Sequence, residues 1–479
     1  MSKTNENLRP LLIGGERTVT DRIEEVRAPW DGKLVARVCL AGEPELEKAI
    51  ATGWKAFETT GAMPRHERRR ILRGIVDGLR AAREELARTL AFEAGKPIAQ
   101  ARGETDRAIF TYEVAAEEAG RAGGEVVPID IDPRAEGYEA TVYRMPLGLI
   151  AGIAPFNFPL NLVAHKAAPA FAAGNAIVLK PARKTPLVAL RLGEIALEAG
   201  MPAGALNVLP CDRVVGDRLV TDERFRMVTF TGSAEVGWDM KPRAGRKKIA
   251  LELGGNAGVI VEPDADLGWA VERCVAGGFF YAGQSCISVQ RIFVQETVYD
   301  AFITALVARV KRLRVGDPLD EATEVGPVID EENAARIVAW LDEAREQGAR
   351  VLAGGGRKGT LVDPAVVEGA PRGASVRCHE IFGPVVTVDR YRGFEDALEA
   401  VNDSSYGLQA GLFTHDVRRI HHALARLEVG GVIVGDAPTF RVDNYPYGGV
   451  KDSGFGREGV RYAIEEMTEP RILVVNTRR

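Results

Sequence analysis

The 479-residue sequence is short of cysteine, of histidine and of long apolar runs, and each shortage argues against a class of protein. Its five cysteines, Cys39, Cys211, Cys274, Cys286 and Cys378, are scattered and odd in number. They make no disulfide framework and suit a reducing cytoplasm. No Cys-x-x-Cys pair occurs, so a structural zinc site has no support and no metal is expected. No uninterrupted apolar stretch reaches the roughly 18 residues that a membrane span requires. Residues 1–10 are polar and hold no apolar signal core, so a cytoplasmic location is expected. Excess positive charge is also missing. Lys and Arg number 62 against 67 Asp and Glu, for a net charge of −5 and a pI near 5.9. That balance argues against a nucleic-acid or anionic-membrane surface. Only six histidines are present, none in a recognisable catalytic segment, which weighs against a cysteine hydrolase or thioesterase with a histidine base.

What remains is an ordinary globular composition, 46% hydrophobic and 27% charged. The length exceeds one ordinary core, so two or three domains are expected. Residues 42–60 and 64–118 carry helical spacing, with Ile71, Leu72, Ile75, Leu79 and Leu86 on one face. After a polar stretch at 123–137, apolar runs at 149–153, 176–179, 205–209 and 227–230 read as buried strands, with a helix over 186–199. A second series of strands is expected at 258–261, 289–294, 385–389, 410–413 and 431–434. This alternation implies parallel βαβ units and a doubly wound α/β sheet. A last strand, 471–476, follows a helix at 460–467 and needs a partner. The first eight residues are expected to lack order.

The chemistry concentrates in three segments. Cys286 sits among small residues in Ala-Gly-Gln-Ser-Cys-Ile-Ser, 282–288. A free cysteine is more often a core residue, but this turn leaves space around the thiol, and a thiolate attacks carbonyls well. Glu252, in Leu-Glu-Leu-Gly-Gly-Asn at 251–256, is a carboxylate at the end of an apolar run and suits activation of water. Asn157, in Ala-Pro-Phe-Asn-Phe-Pro at 154–159, offers an amide to an oxyanion.

These segments resemble the aldehyde dehydrogenase superfamily, and so do Leu-Lys-Pro-Ala (179–182), Phe-Thr-Gly-Ser (230–233), Glu-Ile-Phe-Gly-Pro (380–384) and Pro-Tyr-Gly-Gly-Val-Lys-Asp-Ser-Gly (446–454). The resemblance runs from about residue 10 to the C-terminus. It implies a Rossmann-type cofactor domain (1–122 and 144–251), an α/β catalytic domain (252–450) and a small β oligomerisation unit (123–143 and 467–479), assembled as a homodimer or homotetramer. It implies Cys286 as nucleophile, with Asn157 and the Cys286 backbone N–H holding the oxyanion. Hydride passes to NAD(P), and Glu252 serves as base for hydrolysis of the thioester. Members that pass the acyl group to coenzyme A generally lack that glutamate, so a free acid is the expected product.

The cofactor turn after the strand at 227–230 is Gly232-Ser233-Ala234-Glu235-Val236-Gly237 rather than Gly-x-Gly-x-x-Gly. A Gly-Ser turn opening a helix presents N–H groups to a pyrophosphate. By similarity, Lys180 meets the adenosine ribose and Glu380 the nicotinamide ribose. Ile153, Phe156, Phe230, Val236, Leu253 and Phe382 complete the cofactor set. Arg183 stands where many relatives carry a ribose-binding glutamate, which tilts the choice toward NADP. Arg107 and Arg441 lie in segments that resemble the substrate tunnel of lactaldehyde, non-phosphorylating glyceraldehyde-3-phosphate and phosphonoacetaldehyde dehydrogenases. Their charge suits a small anionic or hydroxylated aldehyde. Ser285, where phosphate-handling members often carry Arg, argues against a phosphorylated one.

Overall fold

The computed structural model describes residues 7–121 and 123–478. Two large sheets organise it. The first has eight strands, and its parallel centre runs in the order Lys248–Glu252, Met227–Thr231, Leu149–Ile153, Ala176–Lys180, Leu206–Val208. Leu149–Ile153 is apolar and buried at every position, as a parallel strand covered on both faces must be. From it the chain winds outward through 176–180 and 206–208, then returns to its other side with 227–231. The topological switch point therefore lies between Leu149–Ile153 and Met227–Thr231, with a crevice beyond their carboxyl ends. The second sheet has seven strands centred on Ala257–Val261 and Val289–Gln295, with apolar clusters on its faces. The strands expected in both series are present, within a residue or two at their ends.

Helical spacing over 64–118 does not produce one helix. The chain forms Arg65–Ala81, Arg83–Ala94 and Ile98–Arg121. Gly95 ends the second in a left-handed conformation (φ 65°), and Pro97 precedes the third. This break turns Lys96 into the interior, where it is fully buried. Helix Ile98–Arg121 packs on Arg65–Ala81 and on the wholly buried helix Asn161–Ala173.

The third sheet is antiparallel. Thr468–Asn476 pairs with Tyr138–Pro146 along its whole length, and Glu125–Val127 lies beyond. Tyr138–Pro146 runs past residue 143, so this unit extends further into the chain than expected. Its terminal strand is an edge, exposed at every residue but Thr468. Of the first eight residues, 1–6 lie outside the described residues, while Leu8 opens a strand paired with Arg37 and is not free.

Candidate active site

A cavity of about 540 Å³ opens between the first two sheets. The loop at 155–160 with the first residues of helix Asn161–Ala173, and the strand ends at 231–233 and 252–254, form one side. Residues 276–287, 333–336 and 380–382 form the other, and 439–458 closes it. Cys286, Glu252 and Asn157 all line it, as do Phe156, Gly232, Ser233, Leu253, Glu380, Phe382, Arg107 and Arg441.

Backbone geometry aims the cysteine. Tyr281, Ala282 and Gly283 are all left-handed (φ 48°, 52° and 70°) and swing the chain out of the helix Leu267–Phe279 toward the cavity. Gly255 passes so close that a Cβ would collide with the Cys286 carbonyl oxygen. The Cys286 Sγ lies 3.1 Å from the Tyr447 hydroxyl. Burial pushes the thiol up to about 12, an effect that the Tyr447 hydrogen bond opposes.

Asn157 is fixed from two directions. Its Nδ2 donates to the Gln284 carbonyl at 3.0 Å, which ties the asparagine loop to the cysteine loop and leaves a second amide hydrogen. Its own backbone carbonyl accepts from Lys96 Nζ at 2.9 Å. Lys96 is paired with the buried Glu104, and its ammonium lies 3.9 Å from the Phe158 ring centroid and 4.3 Å from that of Tyr281. Glu104 also accepts from the backbone N–H groups of Leu160 and Asn161 at 2.9 and 3.2 Å.

Glu252 is buried, and its Oε2 has no hydrogen-bond partner among the described residues. Burial, reinforced by the neighbouring Glu458 carboxylate, holds its proton well above the usual carboxylate range. Glu458 goes the other way. Burial alone would raise it, but Lys166, His165 and Arg441 outweigh that and bring it down to about 2. Lys166 Nζ lies 3.5 Å from Glu458 and also donates to Thr231 and Thr229 at 2.7 and 3.2 Å. Two carboxyls in one chamber are thus driven apart, Glu252 upward and Glu458 downward.

The expected substrate arginines face the cavity already paired. Asp443 takes Arg107 through two bonds (3.1 and 2.6 Å) and His165 through one of 2.8 Å. Arg441 donates to Glu458 at 3.1 Å, and its guanidinium lies 3.5 Å from the Tyr447 ring centroid. Each keeps donors in reserve. Arg107 is partly exposed, and the buried Arg441 Nε has no hydrogen-bond partner among the described residues.

Five expected cofactor residues do not line this cavity. Ile153 and Phe230 are buried at the strand ends flanking the switch point, with the Phe230 ring beneath Gly232. Val236 lies half-buried in the first turn of the helix Ala234–Arg243. Lys180 packs its methylenes against Gly216. Arg183 departs from expectation. It does not stand free for a 2′-phosphate, because Glu24 holds its guanidinium in a bidentate pair of 2.6 and 2.6 Å. Its neighbour Lys184 is paired with Asp330.

Residues 17–473 match the family model described as the Aldehyde dehydrogenase family. The chain belongs to that family. It is 44% identical over 467 residues to 3-sulfolactaldehyde dehydrogenase of Priestia megaterium, covering 97% of this chain and 98% of that one. Aldehyde dehydrogenase 21 of Physcomitrella patens, solved with its reaction product succinate, superposes with a TM-score of 0.96 at 44% identity, over 98% of this chain and 99% of that one. Glyceraldehyde-3-phosphate dehydrogenase GapN of Methanocaldococcus jannaschii, solved with NADP, superposes with a TM-score of 0.92 at 40% identity, over 95% and 100%. The protein is an NAD(P)-dependent aldehyde dehydrogenase.

The residues present fit such a dinucleotide. The helix Ala234–Arg243 begins at the switch-point crevice, and its N-cap Ser233 makes no side-chain bond to the first-turn amides, which stay available to a pyrophosphate. Glu380 accepts from the Gly255 N–H at 2.9 Å with one carboxylate oxygen, and Gly254 leaves room beside the other. Burial raises this carboxyl to about 7, against the opposing pull of the Gly255 N–H and Arg336.

Sequence reasoning missed Tyr447, Glu458, Asp443, Lys166 and His165 as parts of this site. Tyr447 and Glu458 were within reach, since Tyr447 lies inside a recognised motif and Glu458 only four residues beyond it. Asp443, Lys166 and His165 announce themselves only through long-range pairs.

Proposed function

We propose that this aldehyde dehydrogenase is hydrolytic and oxidises a small aldehyde bearing a sulfonate, carboxylate or hydroxyl group. Cys286 attacks the aldehyde carbon to give a thiohemiacetal, whose oxyanion takes hydrogen bonds from Asn157 Nδ2 and the Cys286 backbone N–H. Each such donor lowers the barrier by roughly 3–4 kcal/mol. Bound NAD(P) would supply the acceptor for the hydride that leaves as the oxyanion collapses. The Gly232–Ser233 turn would hold its pyrophosphate and Glu380 its nicotinamide ribose, beside Phe382 and Phe156, whose rings pack edge to face at 5.8 Å. Glu252, once it loses its proton, takes one from water as the water attacks the thioester.

The observation that carries this reading is the convergence of Cys286, Asn157 and Glu252 in one cavity with Arg107 and Arg441 on its wall. Two of the relatives, named for a sulfonated aldehyde and solved with succinate as product, point to a short carbon chain with a singly charged tail, whereas the third is named for a phosphorylated aldehyde. The spare donors of the two arginines suit that tail, and Ser285 rather than Arg before the nucleophile favours it over a phosphate. We infer that NADP is accepted at least as well as NAD. Arg183 and Lys184 are each paired with a carboxylate, and a 2′-phosphate competes with Glu24 for the Arg183 fork. We further propose a dimer or tetramer built on the exposed strand Thr468–Asn476, in the reducing cytoplasm that its free thiols suit.

A panel of aldehydes of equal length with sulfonate, carboxylate, phosphate or neutral tails, assayed with NAD and with NADP, tests the reading. The singly charged tails are expected to give the highest kcat/KM. A neutral aldehyde that outperforms all of them overturns the anionic-substrate reading.

A further inference from the structure

Among the described residues, the Cys286 thiol has one hydrogen-bond partner, the phenolic hydroxyl of Tyr447 at 3.1 Å. We propose that Tyr447 is a catalytic residue whose O–H donates to the Cys286 sulfur, stabilising its negative charge when the thiolate forms and again when the thioester expels it. This inference rests on the reading of Cys286 as the nucleophile.

The tyrosine is built in rather than adventitious. It is 3% exposed, and its backbone is clipped to Glu458 by two hydrogen bonds, N–H to O at 3.0 Å and O to N–H at 2.6 Å. The Arg441 guanidinium lies against its ring face at 3.5 Å, and Glu458 in turn holds Arg441 at 3.1 Å. A cation on a ring face draws electron density from the phenol and makes its O–H a better donor. Burial, and then the adjacent Cys286, push the phenol well above its usual range, so Tyr447 keeps its proton and acts as the donor. Such a bond is weak to a neutral thiol and strong to a thiolate.

The charged groups facing Cys286 make this donor consequential. Glu380 and Glu252 oppose a negative sulfur, and burial opposes it more. Tyr447 and Arg441 act in the other direction. In the forward step the S–C bond forms, the carbonyl π pair moves to oxygen, and the charge leaves sulfur. On hydrolysis the water oxygen bonds to carbon, the C–S bond breaks, and its electron pair returns to sulfur. Charge sits on sulfur at both ends of the cycle, and Tyr447 meets it there. A more stable thiolate is also a weaker nucleophile, so the gain is partial. Each unit by which the thiol titrates lower gives about tenfold more thiolate and about threefold less reactivity, a net gain of about threefold to fourfold.

The test compares the wild-type enzyme with Tyr447→Phe, which removes one oxygen and keeps the ring under Arg441. Inactivation by iodoacetamide is followed against pH, with the labelled residue identified by mass. In parallel, kcat/KM is measured over the same range. At neutral pH the rate of Cys286 alkylation and kcat/KM are both expected to fall about threefold to fifteenfold, the yield of a hydrogen bond to a charged group after the opposing change in nucleophilicity. An unchanged alkylation rate, or a kcat/KM deficit with no matching loss of alkylation rate, overturns the role given to Tyr447. Full activity after complete labelling of Cys286 overturns the nucleophile reading instead.

Discussion

Glu252→Gln separates the two halves of the reaction. The substitution keeps the shape of the side chain and removes the base. A positioned general base contributes about 10²- to 10⁴-fold, or roughly 3–5 kcal/mol of barrier. Attack by Cys286 and hydride release do not require that base, whereas hydrolysis does. Mixing the variant with substrate and NADP in a stopped-flow instrument should therefore give a burst of reduced cofactor near one per active site. A steady state about 10²- to 10⁴-fold slower than wild type should follow. Folding should hardly suffer, because Glu252 Oε2 has no hydrogen-bond partner among the described residues to lose. The pH dependence of stability carries the same signature. The folded carboxyl titrates above its unfolded value of about 4.3. Its contribution is thus present below about pH 4.3 and is lost as pH rises through the folded value. Glutamine cannot lose it, so in alkaline buffer the variant should melt no lower than wild type. Above the folded value of Glu252, wild-type deacylation should be fastest. A burst slowed as severely as the steady state would refute Glu252 as mainly a deacylation base.

Cys286→Ser should abolish oxidation while leaving cofactor binding intact, as read by quenching of protein fluorescence, since a hydroxyl is the weaker nucleophile. Arg107→Met should raise KM for a sulfonated or carboxylated aldehyde about tenfold or more, the scale of a charge-assisted bond, and leave a neutral aldehyde nearly unchanged; equal effects on both would remove Arg107 from tail recognition. Arg183→Glu should lower the NADP-to-NAD ratio of kcat/KM, and Glu24→Gln, which frees the guanidinium, should raise it. An unchanged ratio in both variants would show that this pair does not read the phosphate. Deleting residues 470–479 removes most of a strand that is exposed along its length and should weaken assembly, seen as a smaller particle in sedimentation. An unaltered mass would place the interface elsewhere.

Much of this architecture was legible because its signals are local. A buried parallel strand is a short apolar run, and Leu149–Ile153 and Ala257–Val261 fall where such runs predict, within one residue. The segment around Cys286 is legible for the same reason, since its small residues serve one turn. The long helical pattern misled because apolar spacing continues across Gly95 and Pro97, while backbone geometry does not. The pairing of Arg183 was illegible for a different reason. Its charge suggested a phosphate, but its partner Glu24 lies 159 positions away, and nothing local announces the pair. The network around Glu458 was likewise out of reach, because His165 meets Asp443 across 278 positions and Lys166 meets Glu458 across 292.

The buried Lys96–Glu104 pair has a consequence for engineering. Glu104 and Arg107 lie one turn apart on the same helix. The first anchors the loop that carries Asn157, and the second lines the chamber where an aldehyde's tail would lie. Shifting that helix to admit a bulkier aldehyde moves the oxyanion donor with it, so a broadened tunnel and a slower enzyme arrive together. Libraries aimed at new aldehydes should hold 96–104 constant and diversify Arg273 and Thr439. Both line the cavity from other segments, away from the lysine clamp beneath Asn157.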